Sequence, residues 1–90
     1  PALVISVDEL ASTLSLALVC AITTHGGRTA RPRNELEIPI AADLPVTGVV
    51  LCYQVQTVDV NARHAVVKCR VPRATLLLVR SRLRTLLGMQ

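Results

Sequence analysis

The sequence has no Trp, no Phe and a single Tyr, so its apolar stock is almost entirely Leu, Val, Ile and Ala. Such β-branched weight favours strands over a helical bundle. Four Gly and five Pro without any short period exclude collagen-like and low-complexity readings. Metal-ligand spacing is missing as well. Cys20, Cys52 and Cys69 are odd in number, widely spaced and form no CxxC, and His25 and His64 add no motif to them. Each thiol lies in an apolar context (LVCAI, VLCYQ, VKCRV), which predicts buried, reduced cysteines in a reducing compartment. No basic n-region opens the chain. Its longest uninterrupted apolar run, residues 16–22, has seven residues, where about 20 are needed to span a bilayer. The expected location is the cytoplasm.

What is present fits one small domain over residues 1–90. At 51% apolar and 18% charged residues the chain can bury a core, which excludes intrinsic disorder. A core of this size gives thin stability, so a homodimer is expected. The net charge of +4 conceals an asymmetry. Residues 1–59 carry three Arg and six carboxylates, net −3, whereas residues 60–90 carry six Arg, one Lys and no carboxylate, net +7. A segment so one-sided is either a solvated face or meets an acidic partner, RNA or an acidic protein segment.

Along the chain, residues 2–5 (ALVI) read as a buried strand, and residues 8–12 (DELAS) as a helical turn or a polar connection. Residues 16–22 (LALVCAI) are continuously apolar and suit a central strand covered on both faces. Residues 23–34 (TTHGGRTARPRN) are a basic loop broken by Gly26, Gly27 and Pro32. Residues 35–40 (ELEIPI) alternate like a strand with one polar face, and Pro39 places the strand's end at a sheet edge. Residues 49–60 (VVLCYQVQTVDV) are the longest extended candidate. Val49, Leu51, Tyr53 and Val55 lie on one parity, and on the other a row turns from Val50 and Cys52 to Gln54 and Gln56. Those amides read either as an ordinary exposed face or as a surface that recognises a ligand. A short strand is expected around residues 65–69. The last element is a helix with Pro72 in its first position and Gly88 at its end. At about 100° per residue, Leu76, Val79, Leu83, Leu86 and Leu87 share one face, flanked by Arg73, Arg80 and Arg84.

In order and spacing, the strings PALVISVD, VCAITT, ELEIPI and VTGVVLCYQVQTVDV, followed by a helix ending in LRTLLG, resemble the MazF/PemK family. These are the ribonuclease toxins of toxin–antitoxin pairs. The VTGVV…Q…TVD…AR passage is most similar to the PemK/Kid branch. The resemblance implies a mainly β (α+β) fold, a small SH3-like or CcdB-like barrel of mostly antiparallel strands with a C-terminal helix. It implies a homodimer that cuts single-stranded RNA through the RNA's own 2′-OH, without a metal or other cofactor, and an acidic antitoxin whose tail occupies the same groove. It places Thr23 at the catalytic threonine, with Thr24 beside it on the RNA-facing surface. Arg28, Arg31 and Arg33 in the basic loop, with Tyr53, Gln54 and Gln56 on the long strand, are the remaining RNA-binding candidates.

The departures bear on activity. The family's first strand, its loop and the Arg preceding the Pro of the PALVIS-like strand have no counterpart in these 90 residues. Where the PemK branch carries Arg and Asp in a VVRCDQ-like string, VVLCYQ places Leu51 and Tyr53. A Leu cannot neutralise a phosphate, and a phenol with an ordinary pKa near 10 is a poor substitute for a carboxylate base. His25, beside the threonine pair and titrating near neutrality, is the candidate to take over proton transfer. Three functions compete: the endoribonuclease toxin, a weakly cutting homologue that binds RNA or an acidic antitoxin, and a CcdB-like toxin that contacts gyrase.

Overall fold

The computed structural model describes residues 1–24, 31–41 and 43–89. Four strands and two helices follow one another as β1 (Ala2–Val4), α1 (Asp8–Leu14), β2 (Leu16–Thr23), β3 (Glu37–Pro39), β4 (Val49–Asp59) and α2 (Arg73–Leu86). The strands form one antiparallel sheet in the order β1-β2-β4-β3. This sheet curls into a half-barrel with α2 packed against it. The apolar run 16–22 is indeed an interior strand, and Pro39 does sit at an edge.

Curvature comes from β4. Ile22 faces Val50 and Cys20 faces Val55, so residues 51–54 of β4 stand opposite Ala21 alone. Such an insertion bends a strand and tightens its twist. The Cys52 N–H turns to the Leu36 carbonyl at 2.9 Å. The bend divides the strand in two: Val49–Cys52 are all buried, and residues 53–57 are all exposed. Simple alternation of inner and outer residues, which the sequence suggested, therefore fails. The first half is buried between β2 and β3, and the second half pairs with β2 alone and is exposed.

The core joins Leu3, Cys20, Ile22, Ile38, Ile40, Val50 and Cys52 of the sheet region to Val79 of α2. Leu76 and Leu83 pack against it, as their shared helix face predicts, but Leu86 and Leu87 are exposed because α2 runs past the sheet. The helix begins one residue later than expected, with Pro72 as its N-cap. It ends as expected: Gly88 takes φ +73°, its N–H bonds the Thr85 carbonyl, and the Met89 N–H bonds the Arg84 carbonyl, the Schellman arrangement. Arg80 and Arg82 fasten the helix to the sheet region, through Nε donations to the carbonyls of Ile5 and Glu35, both at 3.0 Å.

Three further expectations need correction. Only Leu3 of β1 is buried, because this strand lies at the sheet edge. Residues 65–70 form no strand, with Val66 and Val67 exposed, since no described strand lies beside them to complete a ladder. Of the cysteines, Cys20 and Cys52 are buried and Cys69 is half-buried; all three are free thiols. The alternatives for residues 8–12 resolve as a helix, α1, with Asp8 and Glu9 in the first turn where the helix dipole favours them.

Candidate functional site

Gly48 sets the position of Thr23. Its backbone, at φ +130°, approaches so closely that a Cβ there would lie 2.1 Å from the Thr23 carbonyl oxygen. Only glycine fits such a conformation and contact. Thr23 pairs with Val49 at the start of β4 and closes β2, leaving Thr24 exposed just beyond the ladder. His25 and Arg28 lie outside the described residues. Arg31 is exposed.

Arg33 and Tyr53 are brought together by a residue that the sequence reading left on a polar strand face. Glu37 is buried at 3% exposure on β3, opposite Leu51 of β4. Its Oε2 accepts from the Tyr53 hydroxyl at 2.6 Å and from Arg33 Nη2 at 2.9 Å. The Arg33 backbone N–H donates to Oε1 at 3.0 Å, and Nε bridges both oxygens at 3.3 Å. Nη2 also donates to the Tyr53 oxygen at 3.3 Å. Hydrogen bonds from the Arg33 side chain, Tyr53 and the Arg33 backbone hold the Glu37 carboxyl down at about 2, against an ordinary 4.5. The Tyr53 phenol is pushed up, chiefly because its proton is shared with that carboxylate. The sequence signal for this cluster was slight: Glu37 is the second of two glutamates in ELEIPI, between Leu36 and Ile38.

The remaining candidates fall elsewhere. Thr24 and Gln56 line a broad, open depression that spans β1, β2 and β4 and also takes in Arg63, Lys68 and Arg70 from the segment between β4 and α2. Asp8 and Glu9 line it as well. Gln54 is exposed and joins neither group. Leu51, at 9% exposure, is part of the buried half of β4. The Arg stripe on α2 is partly structural, since Arg80 is engaged with Ile5. Among the described residues, no group of three or more His, Cys, Asp or Glu is placed to hold a metal ion, and no helix is long and apolar enough to cross a membrane.

The chain is a curled antiparallel half-barrel with a C-terminal helix and a threonine pair at the end of its second strand. Residues 1–87 match the family described as PemK-like, MazF-like toxin of type II toxin–antitoxin system, and the chain belongs to that family. Among solved structures it is similar to MazF in a MazE–MazF crystal structure from Deinococcus radiodurans, with TM-score 0.88 and 31% identity over 100% of this chain and 82% of the other. It is also similar to MazF crystallised from the same organism, with TM-score 0.84 and 32% identity over 99% of this chain and 76% of the other. An endoribonuclease from a mycobacterial species shares the fold, with TM-score 0.80 and 20% identity over 99% of this chain and 80% of that one. No curated protein sequence matches the chain.

Proposed function

We propose that this single domain is a toxin that cuts single-stranded RNA at short sequences, using the RNA's own 2′-OH, and that an acidic antitoxin restrains it. The carrying observation is that, on a chain of this family, Thr24 shares an open depression with Arg63, Lys68 and Arg70. Cations placed there suit a phosphate backbone, and they suit an acidic protein segment for the same reason. In the reaction the 2′-oxygen attacks phosphorus while the 5′-oxygen leaves, giving a 2′,3′-cyclic phosphate and a 5′-hydroxyl. Such a step needs a base, an acid and charge stabilisation at the phosphate. Thr23 and Thr24 are assigned to the phosphate, and His25 to proton transfer. Arg28, Arg31 and Arg33 hold the strand. The active form is a homodimer acting in the cytoplasm.

One observation favours a second reading, a homologue that binds RNA or antitoxin and cuts weakly. Leu51 is buried, and the Tyr53 phenol and Glu37 carboxyl share a proton in a way that leaves neither a base near neutral pH. Loss of one electrostatic contact at a reacting centre typically costs about 100- to 1,000-fold in rate. The test is a single-stranded RNA library incubated with the protein in EDTA and read by end mapping. The endoribonuclease reading expects cuts at one short sequence, each leaving a 5′-hydroxyl, and slower cutting by Thr23→Ala and His25→Ala. Cutting near background that rises in the double variant Leu51→Arg, Tyr53→Asp selects the second reading.

A further inference from the structure

Glu37 neither faces solvent nor is free to act as a base, yet it organises two exposed recognition candidates, Arg33 and Tyr53, around it. The Arg33 side chain is 77% exposed, although one edge of its guanidinium is fixed on the buried carboxylate. Nε and Nη2 spend their hydrogens on Glu37 and on the Tyr53 oxygen. The two Nη1 hydrogens make no hydrogen bond among the described residues and point the remaining edge of a rigid fork outward. A guanidinium held this way loses little freedom when it meets a phosphate oxygen. Beside it, the Tyr53 hydroxyl is committed to Glu37 while the residue remains 41% exposed, at the point where β4 turns from buried to open. A ring tethered by its hydroxyl, with an accessible body, is a platform on which a base can stack.

We propose that Arg33 and Tyr53 form a one-nucleotide subsite, phosphate on Nη1 and base on the ring, with Glu37 as the positioning residue that sets both. The subsite rests on the RNA-directed reading above. It sharpens that reading, because Tyr53 serves by its ring and not by its hydroxyl, and a buried acid strengthens the hold on a polyanion. Simple electrostatics predicts the opposite for Glu37: removing a negative charge should tighten binding to RNA.

The test is fluorescence anisotropy with a labelled 2′-O-methyl RNA decamer, which the 2′-OH route cannot cut, measured at several salt concentrations. Tyr53→Leu is expected to weaken binding about tenfold, and Tyr53→Phe, which keeps the ring, by about threefold or less. Arg33→Gln should lower affinity and reduce the salt slope by about 0.7. Glu37→Gln should weaken binding severalfold without that loss of slope, and should have no further effect in the Arg33→Gln, Tyr53→Leu background. Tighter binding by Glu37→Gln overturns the proposal, as does equal loss from Tyr53→Phe and Tyr53→Leu. If Glu37→Gln fails to fold, the two Tyr53 variants at their exposed position still decide. Wild-type protein that binds the decamer with no response to Arg33→Gln or Tyr53→Leu defeats the subsite alone. Wild-type protein that does not bind it defeats the RNA-directed reading as well. Loss confined to a glutamate decapeptide, with RNA binding intact, assigns these side chains to an acidic protein and overturns the subsite.

Discussion

At the scale of single residues, Glu37, Cys20 and Cys52 are all shifted away from reactivity. The Glu37 carboxyl titrates at about 2 when folded, below its ordinary 4.5. A depressed carboxyl stabilises the fold fully above its unfolded value and loses that contribution as pH falls through its folded value. Wild-type stability should therefore decline between about pH 4.5 and 2, and decline less in Glu37→Gln, as denaturant melts at stepped pH would read. An equal decline in both assigns the acid sensitivity to other carboxylates. Burial likewise pushes the Cys20 thiol up to about 11 and raises that of Cys52. Since the thiolate is the nucleophile, a thiol reagent should label half-buried Cys69 in the native protein and reach Cys20 and Cys52 only on unfolding. Rapid labelling of three thiols without denaturant would contradict this.

At the scale of elements, β4 does most of the arranging. Its first residues lie between β2 and β3 in the core, and past the insertion opposite Ala21 its second half leaves β3 and pairs with β2 alone. Tyr53 is the first residue past that boundary, which is why its hydroxyl can reach a buried acid while the residue stays exposed. The strand's entry depends on Gly48, whose backbone lies against the Thr23 carbonyl. A methyl group there meets backbone and not a flexible side chain, and φ is unsuited to an L-residue. Gly48→Ala should destabilise the fold by roughly 3 kcal/mol, measured by chemical denaturation, and should displace Thr23 with it. A change below about 0.5 kcal/mol would show that the β2–β4 junction yields to an added methyl group.

At the scale of the whole molecule, the described core is small, and Leu77, Leu78 and Leu86 of α2 and Leu87 just after it remain exposed. A chain of 9.7 kDa with that much uncovered apolar surface gains stability by pairing. Sedimentation at micromolar concentration should give twice the chain mass, and Leu77→Glu should shift the protein toward monomer. A folded monomer from the unmodified chain would refute the dimer.

The sequence by itself determined the class of the fold. The apolar run 16–22 reads as an interior strand, Pro39 as a residue at a sheet edge, and the Pro72-to-Gly88 pattern as a capped helix. These are local constraints, set by a missing N–H, a permissive φ or the spacing of apolar side chains, and each is written within a few residues. The candidate site was legible only as residue types. Tertiary structure decided which of them meet: Arg33 joins Tyr53 through Glu37, whereas Thr24 and Gln56 only line the same broad depression and Gln54 joins neither. It also withheld the strand expected at residues 65–69, since a strand exists only when a neighbour supplies its hydrogen bonds. Glu37 shows the limit most clearly. Its burial follows from β3 pairing with a bent β4, and no pattern within ELEIPI records where that bend falls.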